Sequence, residues 1–337
     1  MNIAQQRLRT QCIAGPGFDR PGDVVSWFGA VQAQDYTGAL WALGLRTQGA
    51  TEALVEQAIA DRTIVRTWPL RGTLHFASAA DVRWMMNVFA PHTIARHARR
   101  FKQFELDERI FARCTTVTVK ALEGGRQLSR PRLYARLERA GVSTRDSRGL
   151  HILWRLAHDG LICFGAREGK QQTFALLEEW VPRAKMLRRD EALAELARRY
   201  FTSHAPATQK DFGWWSGLSA VDARRAVEIA RIAVEKKPVR AARVRSPHVV
   251  LLPPYDEYMV AYQDRSAALD PRHAAAARNG IFSPTIVLNG RIVGTWGRVE
   301  TKTDVKVSTR LFGTLAAVEV KALTAAIDRY RDYKRQA

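Results

Sequence analysis

Acidic residues are scarce in this chain: 33 Asp and Glu stand against 53 Lys and Arg over 337 residues, a formal net charge of +20. The missing carboxylates exclude a charge-balanced surface. They favour a polyanionic partner, because each phosphate neutralised by a cation releases condensed counterions. Of the 53 cations, 42 are Arg, a preference that a G·C-rich genome explains without explaining the acidic deficit. Cysteine is equally sparse. Cys12, Cys114 and Cys163 lie far apart, with no Cys-x-x-Cys pair and no His/Cys cluster. That excludes a zinc finger, an iron–sulfur cluster and a disulfide framework, and it predicts a reduced, cytoplasmic protein without metal or cofactor. No apolar run approaches the ~20 residues of a membrane span. The start, Met1 to Arg7, has no apolar stretch after a basic one, so no signal peptide is expected. Low-complexity segments are absent, and the hydrophobic content of 46% suffices for ordinary cores. The length suggests two or three structural units.

What is present is a recurring order of short helices followed by a hairpin. Its clearest copy lies at 107–180. A helical period runs from Leu106 to Leu122, and Ser129 with Pro131 opens a second helix that Gly141 stops. A third helix spans Arg148 to His158, and strands 161–164 and 172–176 follow. Three helices and a hairpin are the order of a winged helix. Residues 1–80 give another copy, with helices at 3–13, 21–31, 38–45 and 51–61 and wing strands at 64–68 and 72–76. A third copy, 188–245, has caps at Thr208 and Ser219. Residues 81–106 read as a connecting helix. From 246 to 337 the chain turns to strands, with Asn289-Gly290 as a two-residue hairpin signal and a closing helix at 316–331. The expected fold class is α+β, predominantly α, with three tandem winged-helix modules and a C-terminal β-barrel-like region.

The segment Gln32-Ala33-Gln34-Asp35-Tyr36 is the most informative stretch. Two fixed amides beside a nucleic-acid surface hold a water against a sugar carbon, or they form a polar helix end. Residues two apart on a helix point about 200° apart and cannot share a site, so a shared role requires regular helix to break near Gln32–Gln34. Asp35 is the rival base for orienting water; the alternative role is the cap of the next helix. Arg71, Thr73 and His75 alternate on a presumed strand and present one face to DNA, although His75 reads equally as a satisfied core histidine. Trp68 stacks on a base or fills the wing. Arg66 is a DNA-contact candidate, and Arg96, Arg99 and Arg100 form a basic helix face for phosphates or for solvent. Trp296 and Arg298 are placed to reach a groove from a hairpin. Trp214 and Trp215 read as core.

Those residues carry a family resemblance. Gln32-Ala33-Gln34-Asp35-Tyr36 is similar to the signature of the azinomycin-resistance DNA glycosylases of the AlkZ/AlkX type. The likeness continues through 66–76, 211–218, 251–258 and 280–296, in order over nearly the whole chain. The resemblance implies tandem winged helices and a β-barrel forming a C-shaped clamp on double-stranded DNA. It implies a monofunctional glycosylase for bulky alkylated purines, with some relatives unhooking interstrand crosslinks. It also implies that Gln32 and Gln34 are the catalytic pair, since the Gln-x-Gln motif is that of the AlkZ branch and Gln-x-Asp that of the AlkX branch. The expected partner is alkylated or crosslinked DNA at the nucleoid, bound by a monomer and away from membranes. Two other classes remain open: a non-enzymatic winged-helix regulator, and an inactive protein that shields lesions.

Overall fold

Asn2 opens the first helix by accepting the Gln5 N–H, and α1 runs Ile3–Thr10. There follow α2 (Pro21–Phe28), β1 (Ala30–Gln32), α3 (Tyr36–Gly44), α4 (Glu52–Ala60) and the hairpin β2 (Ile64–Leu70) and β3 (Thr73–Ser78). The long α5 (Val82–Gln103) leads to α6 (Glu108–Leu122), β4 (Leu128–Ser129), α7 (Arg130–Arg139), α8 (Arg148–His158), β5 (Ile162–Phe164), β6 (Thr173–Leu176) and α9 (Leu177–Trp180). Then come α10 (Arg189–Ser203), α11 (Gln209–Ser216), α12 (Ala220–Ala230), β7 (Val249–Leu252), α13 (Glu257–Val260), β8 (Thr285–Leu288), β9 (Arg291–Glu300), β10 (Val305–Leu311) and α14 (Ala317–Arg335). The computed structural model describes residues 2–232, 246–301 and 304–335, so the end of the expected third module, 233–245, lies outside the described residues.

Two units emerge: Met1–Glu56 with Leu193–Ala337, and Gln57–Ala192. This partition cuts across the expected 1–80 segment. The physical reason is in the second unit, where Arg66 of β2 pairs with Phe164 of β5 and builds the first hairpin into the sheet of the second copy. Strand order within that unit is β3-β2-β5-β6-β4, all antiparallel. The order helix, helix, helix, hairpin expected over 107–180 is present there. Asp107 caps α6 by accepting the Ile110 N–H, and Leu133, Leu137, Ile152, Leu156, Phe164 and Phe174 share one core. Ser129 stands at the start of α7 without a side-chain cap bond; its backbone pairs with Thr173 of β6, and Pro131, two residues on, has no N–H to donate to it.

In the first unit, Thr208 and Asp211 form a reciprocal capping box on α11, and Ser219 caps α12. The C-terminal strands form a four-stranded sheet in the order β10-β9-β8-β7. Both residues of the Asn289-Gly290 turn have positive φ, 51° and 91°, as a two-residue hairpin of this hand requires. The expected barrel is not closed among the described residues, since β7 and β10 have no bond to each other; α14 instead packs against both. Trp41 and Tyr330 meet edge to face at 5.0 Å, and Trp296 packs on Tyr330 at 4.9 Å. A Cβ on Gly44 would stand 2.3 Å from the Tyr333 ring, so only glycine fits beneath this cluster.

Candidate active site

Regular helix stops before the two glutamines. Gly29, at φ 83°, ends α2 three residues short of the expected Gln32 boundary, and its N–H closes on the Val25 carbonyl. That left-handed turn is open to glycine and strained for a residue with a Cβ. The chain leaves it extended as β1, and α3 begins only at Tyr36. Gln32 and Gln34 therefore lie on non-helical backbone, where side chains two apart return to the same side.

Gln32 is 8% exposed, and its side-chain carbonyl Oε1 accepts the Gln34 N–H at 2.8 Å. This bond fixes the Gln32 amide along the backbone of its partner while one lone pair of Oε1 remains for another donor. Gln34 is exposed. Asp35 takes the helix-cap position: its backbone is extended and its Oδ1 accepts the Gly38 N–H at 3.2 Å. A Cβ on Gly38 would lie 2.8 Å from Asp35 Oδ2, so the glycine makes room for the cap. Tyr36 donates its hydroxyl to Glu56 Oε2 at 2.6 Å. Asparagine caps helices as well as aspartate does. Asp35→Asn is therefore expected to keep both the melting temperature and base excision near wild type, checked by thermal unfolding and a single-turnover assay. Lost excision in a fully folded Asp35→Asn protein would make the carboxylate the base.

Behind the glutamines is a residue that sequence reasoning missed. Glu257, 1% exposed, accepts the Gln32 backbone N–H on Oε1 at 2.7 Å and the Trp215 indole N–H on Oε2 at 2.8 Å. His204 Nε2 stands 3.5 Å from the same Oε2, and burial pushes the His204 pKa down against the pull of that carboxylate. The next residue back, Asp256, forms a bidentate pair with Arg46, with Nη1 at 2.9 Å and Nη2 at 2.8 Å. Arg46 spends its remaining N–H groups on the Gln11 and Ala42 carbonyls and on Gln11 Oε1. Burial opposes the charged guanidinium, but Asp256, with Glu257 and Cys12 adding to it, raises the Arg46 pKa. Glu257 is 225 positions from Gln32. The Asp256-Glu257 doublet after Pro253-Pro254 was its only sequence signal.

The remaining candidates sort by burial. In the second unit, Arg71 occupies the hairpin turn at φ 54° rather than a strand. It still meets His75, with Nη2 3.3 Å from Nε2, while Nδ1 lies 2.8 Å from the Thr73 carbonyl. A carbonyl only accepts, so Nδ1 carries the hydrogen and Nε2 faces the guanidinium as acceptor. His75 is fully buried, and the Thr73 hydroxyl donates to the Leu70 carbonyl at 3.3 Å. Trp68, half-buried, packs on Phe164 at 5.2 Å against the core. Arg66 is buried, with its guanidinium over the Phe164 ring and bonded to Gln172. Arg96, Arg99 and Arg100 are exposed on α5, where Arg100 donates to Gln103. In the first unit, Trp296 is a correction: its ring is buried and its N–H bonds the Leu252 carbonyl at 2.8 Å, so it fills the core and does not reach outward. Arg298 pairs with Glu300 at 2.7 Å. Trp215 is core as expected, whereas Trp214 is half exposed and bonds the Val260 carbonyl.

Comparison with known proteins gives one consistent result. A family model described as DNA glycosylase AlkZ-like matches residues 25–333. An interstrand DNA cross-link repair glycosylase of Streptomyces sahachiroi is 26% identical over 317 residues, covering 82% of each chain. The solved structure of the Streptomyces sahachiroi DNA glycosylase AlkZ aligns with a TM-score of 0.74 at 22% identity, over 98% of this chain and 95% of that one, a likeness of fold. Among the described residues, no helix is long and apolar enough to cross a membrane.

Proposed function

Because the chain belongs to the AlkZ-like DNA glycosylase family, we propose that it hydrolyses the N-glycosidic bond of bulky or N7-alkylated purines in double-stranded DNA, interstrand crosslinks included. The observation that carries this reading is the non-helical Gln32–Gln34 segment, held from behind by Glu257 and locked by the bond from the Gln34 N–H to Gln32 Oε1. An N7-alkylated purine is cationic and departs readily, so protonation of the leaving base is a minor need. The enzyme has to place a water behind the anomeric carbon and to face an oxocarbenium-like sugar with negative dipoles. Glutamine carbonyls do both, and they avoid the desolvation cost of a buried carboxylate at the reacting centre. Gln32 and Gln34 jointly hold that water and stabilise the cation, while Asp35 keeps α3 capped beside them. The direct test is release of the modified base with creation of an alkali-labile abasic site.

Segment 107–180 acts as a winged-helix DNA-binding module in this reading, and Arg96, Arg99 and Arg100 contact phosphates. The protein works as a monomer on DNA in the cytoplasm. Binding to undamaged duplex is expected to weaken steeply with salt, because phosphate contacts release counterions. Fluorescence anisotropy across a salt series checks this: a slope near zero in log affinity against log salt would remove the basic surface from the binding site. Arg96→Ala and Arg99→Ala are each expected to lower the slope by about one unit.

A further inference from the structure

We propose that Glu257 is a positioning residue for base excision and that it works by accepting two N–H groups at once, a role that rests on Gln32 and Gln34 acting as proposed above. Its side chain is out of the substrate's reach, since the residue is 1% exposed. Oε1 accepts the Gln32 backbone N–H at 2.7 Å, and Oε2 accepts the Trp215 indole N–H at 2.8 Å. Gln32 in turn accepts the Gln34 N–H on its side-chain oxygen at 2.8 Å. One continuous run of hydrogen bonds thus links a core indole to the second glutamine.

The donor count explains why residue 257 is a carboxylate. A carboxylate offers two acceptor oxygens. Glutamine has the same shape but a single acceptor oxygen, with an N–H2 group in place of the other. Burying a carboxylate is costly unless its oxygens are bonded, and the two converging N–H groups meet that need. The far end of the run is rigid. Trp215 is fully buried, its ring 5.1 Å from Tyr200 and 5.4 Å from His204, and His204 Nε2 stands 3.5 Å from Oε2. Asp256, the preceding residue, is locked by its pair with Arg46. The near end is β1, a strand of 3 residues. Gln32 therefore takes its place from Glu257, and a misplacement of about 1 Å at a reacting centre costs up to about 10²-fold in rate.

Glu257→Gln keeps the shape and sets a donor against one of the two N–H groups. The indole has no room to move, so the new carbonyl turns to Trp215 and Gln32 is released. The single-turnover rate at saturating protein is expected to fall about tenfold, with affinity for undamaged duplex near wild type. Trp215→Phe removes the competing donor and leaves the new carbonyl to Gln32. In that background Glu257→Gln is expected to cost less than about threefold, because the two positions are coupled. The backbone amide resonance of Gln32 reports the same bond without catalysis. Glu257→Gln is expected to move it upfield, and adding Trp215→Phe to return it.

An equal loss of rate in both backgrounds would mark a packing role and overturn the proposal. A shifted Gln32 amide with full excision would overturn it too. If Glu257→Gln alone does not fold, the double variant decides: parity with Trp215→Phe supports the proposal, and a deficit of about tenfold overturns it. Slow excision in Gln34→Ala with full excision in Glu257→Gln would sink this proposal alone. Full excision in Gln34→Ala would sink the glutamine reading beneath it, and the proposal with it.

Discussion

Gln34→Ala and Gln32→Ala are each expected to lower the single-turnover rate of base excision by about 10²-fold, while affinity for undamaged duplex is expected to stay near wild type. This size is typical of removing one positioned hydrogen-bonding group from a reacting centre. The affinity is spared because the interaction with the sugar cation exists only in the transition state. The two changes are not independent. Gln32 Oε1 holds the Gln34 N–H at 2.8 Å, so removing Gln32 also releases the segment that carries Gln34. The double variant is expected to lose far less than the product of the two single losses, as groups sharing one water do. A double variant at the full product would show two separate roles. Parallel loss of duplex affinity would show that the glutamines bind DNA instead.

Arg46→Met is expected to lower unfolding stability by about 3–5 kcal/mol, the range for breaking a buried ion pair from one side. The Arg46 and Asp256 side chains are each 1% exposed, and the substitution leaves a carboxylate in the core that still accepts the Tyr258 N–H. The Gln11 and Ala42 carbonyls lose their donors at the same time. Replacing both partners, Arg46→Met with Asp256→Leu, is expected to recover part of the loss, because the orphaned charge is gone. Denaturant unfolding measures both. A single-variant loss below about 1 kcal/mol would put the pair in the class of exposed bridges and sever the account of how Glu257 is held. Since Asp256 adjoins Glu257, residual folded Arg46→Met is also expected to excise more slowly.

Local chemistry made some of this readable in the sequence and long-range packing concealed the rest. Asn289-Gly290, the Thr208 and Ser219 caps and the helix at 148–158 obey short-range rules, and each lies where those rules place it. The need for a helix break near Gln32 followed from side-chain directions alone, although its agent, Gly29, was not foreseen. Glu257 was invisible as a partner of Gln32 because nothing local links positions 225 apart. Trp296 alternates on a strand like a surface aromatic, and only the arrival of α14 with Tyr330 makes its side of the sheet the inner one. Barrel closure depends on whether the two edge strands meet, which strand composition does not encode; here α14 packs on β7 and β10.

The most direct measurement is single-turnover incubation of the purified protein with a duplex bearing one N7-alkylguanine, followed by alkaline cleavage and chromatography of the released base. The account predicts a strand break at the modified position, release of the intact alkylated base, and a rate about 10²-fold lower for Gln34→Ala at saturating protein. Tight duplex binding with no abasic site and no free base would contradict it and leave a DNA-binding protein without glycosylase chemistry.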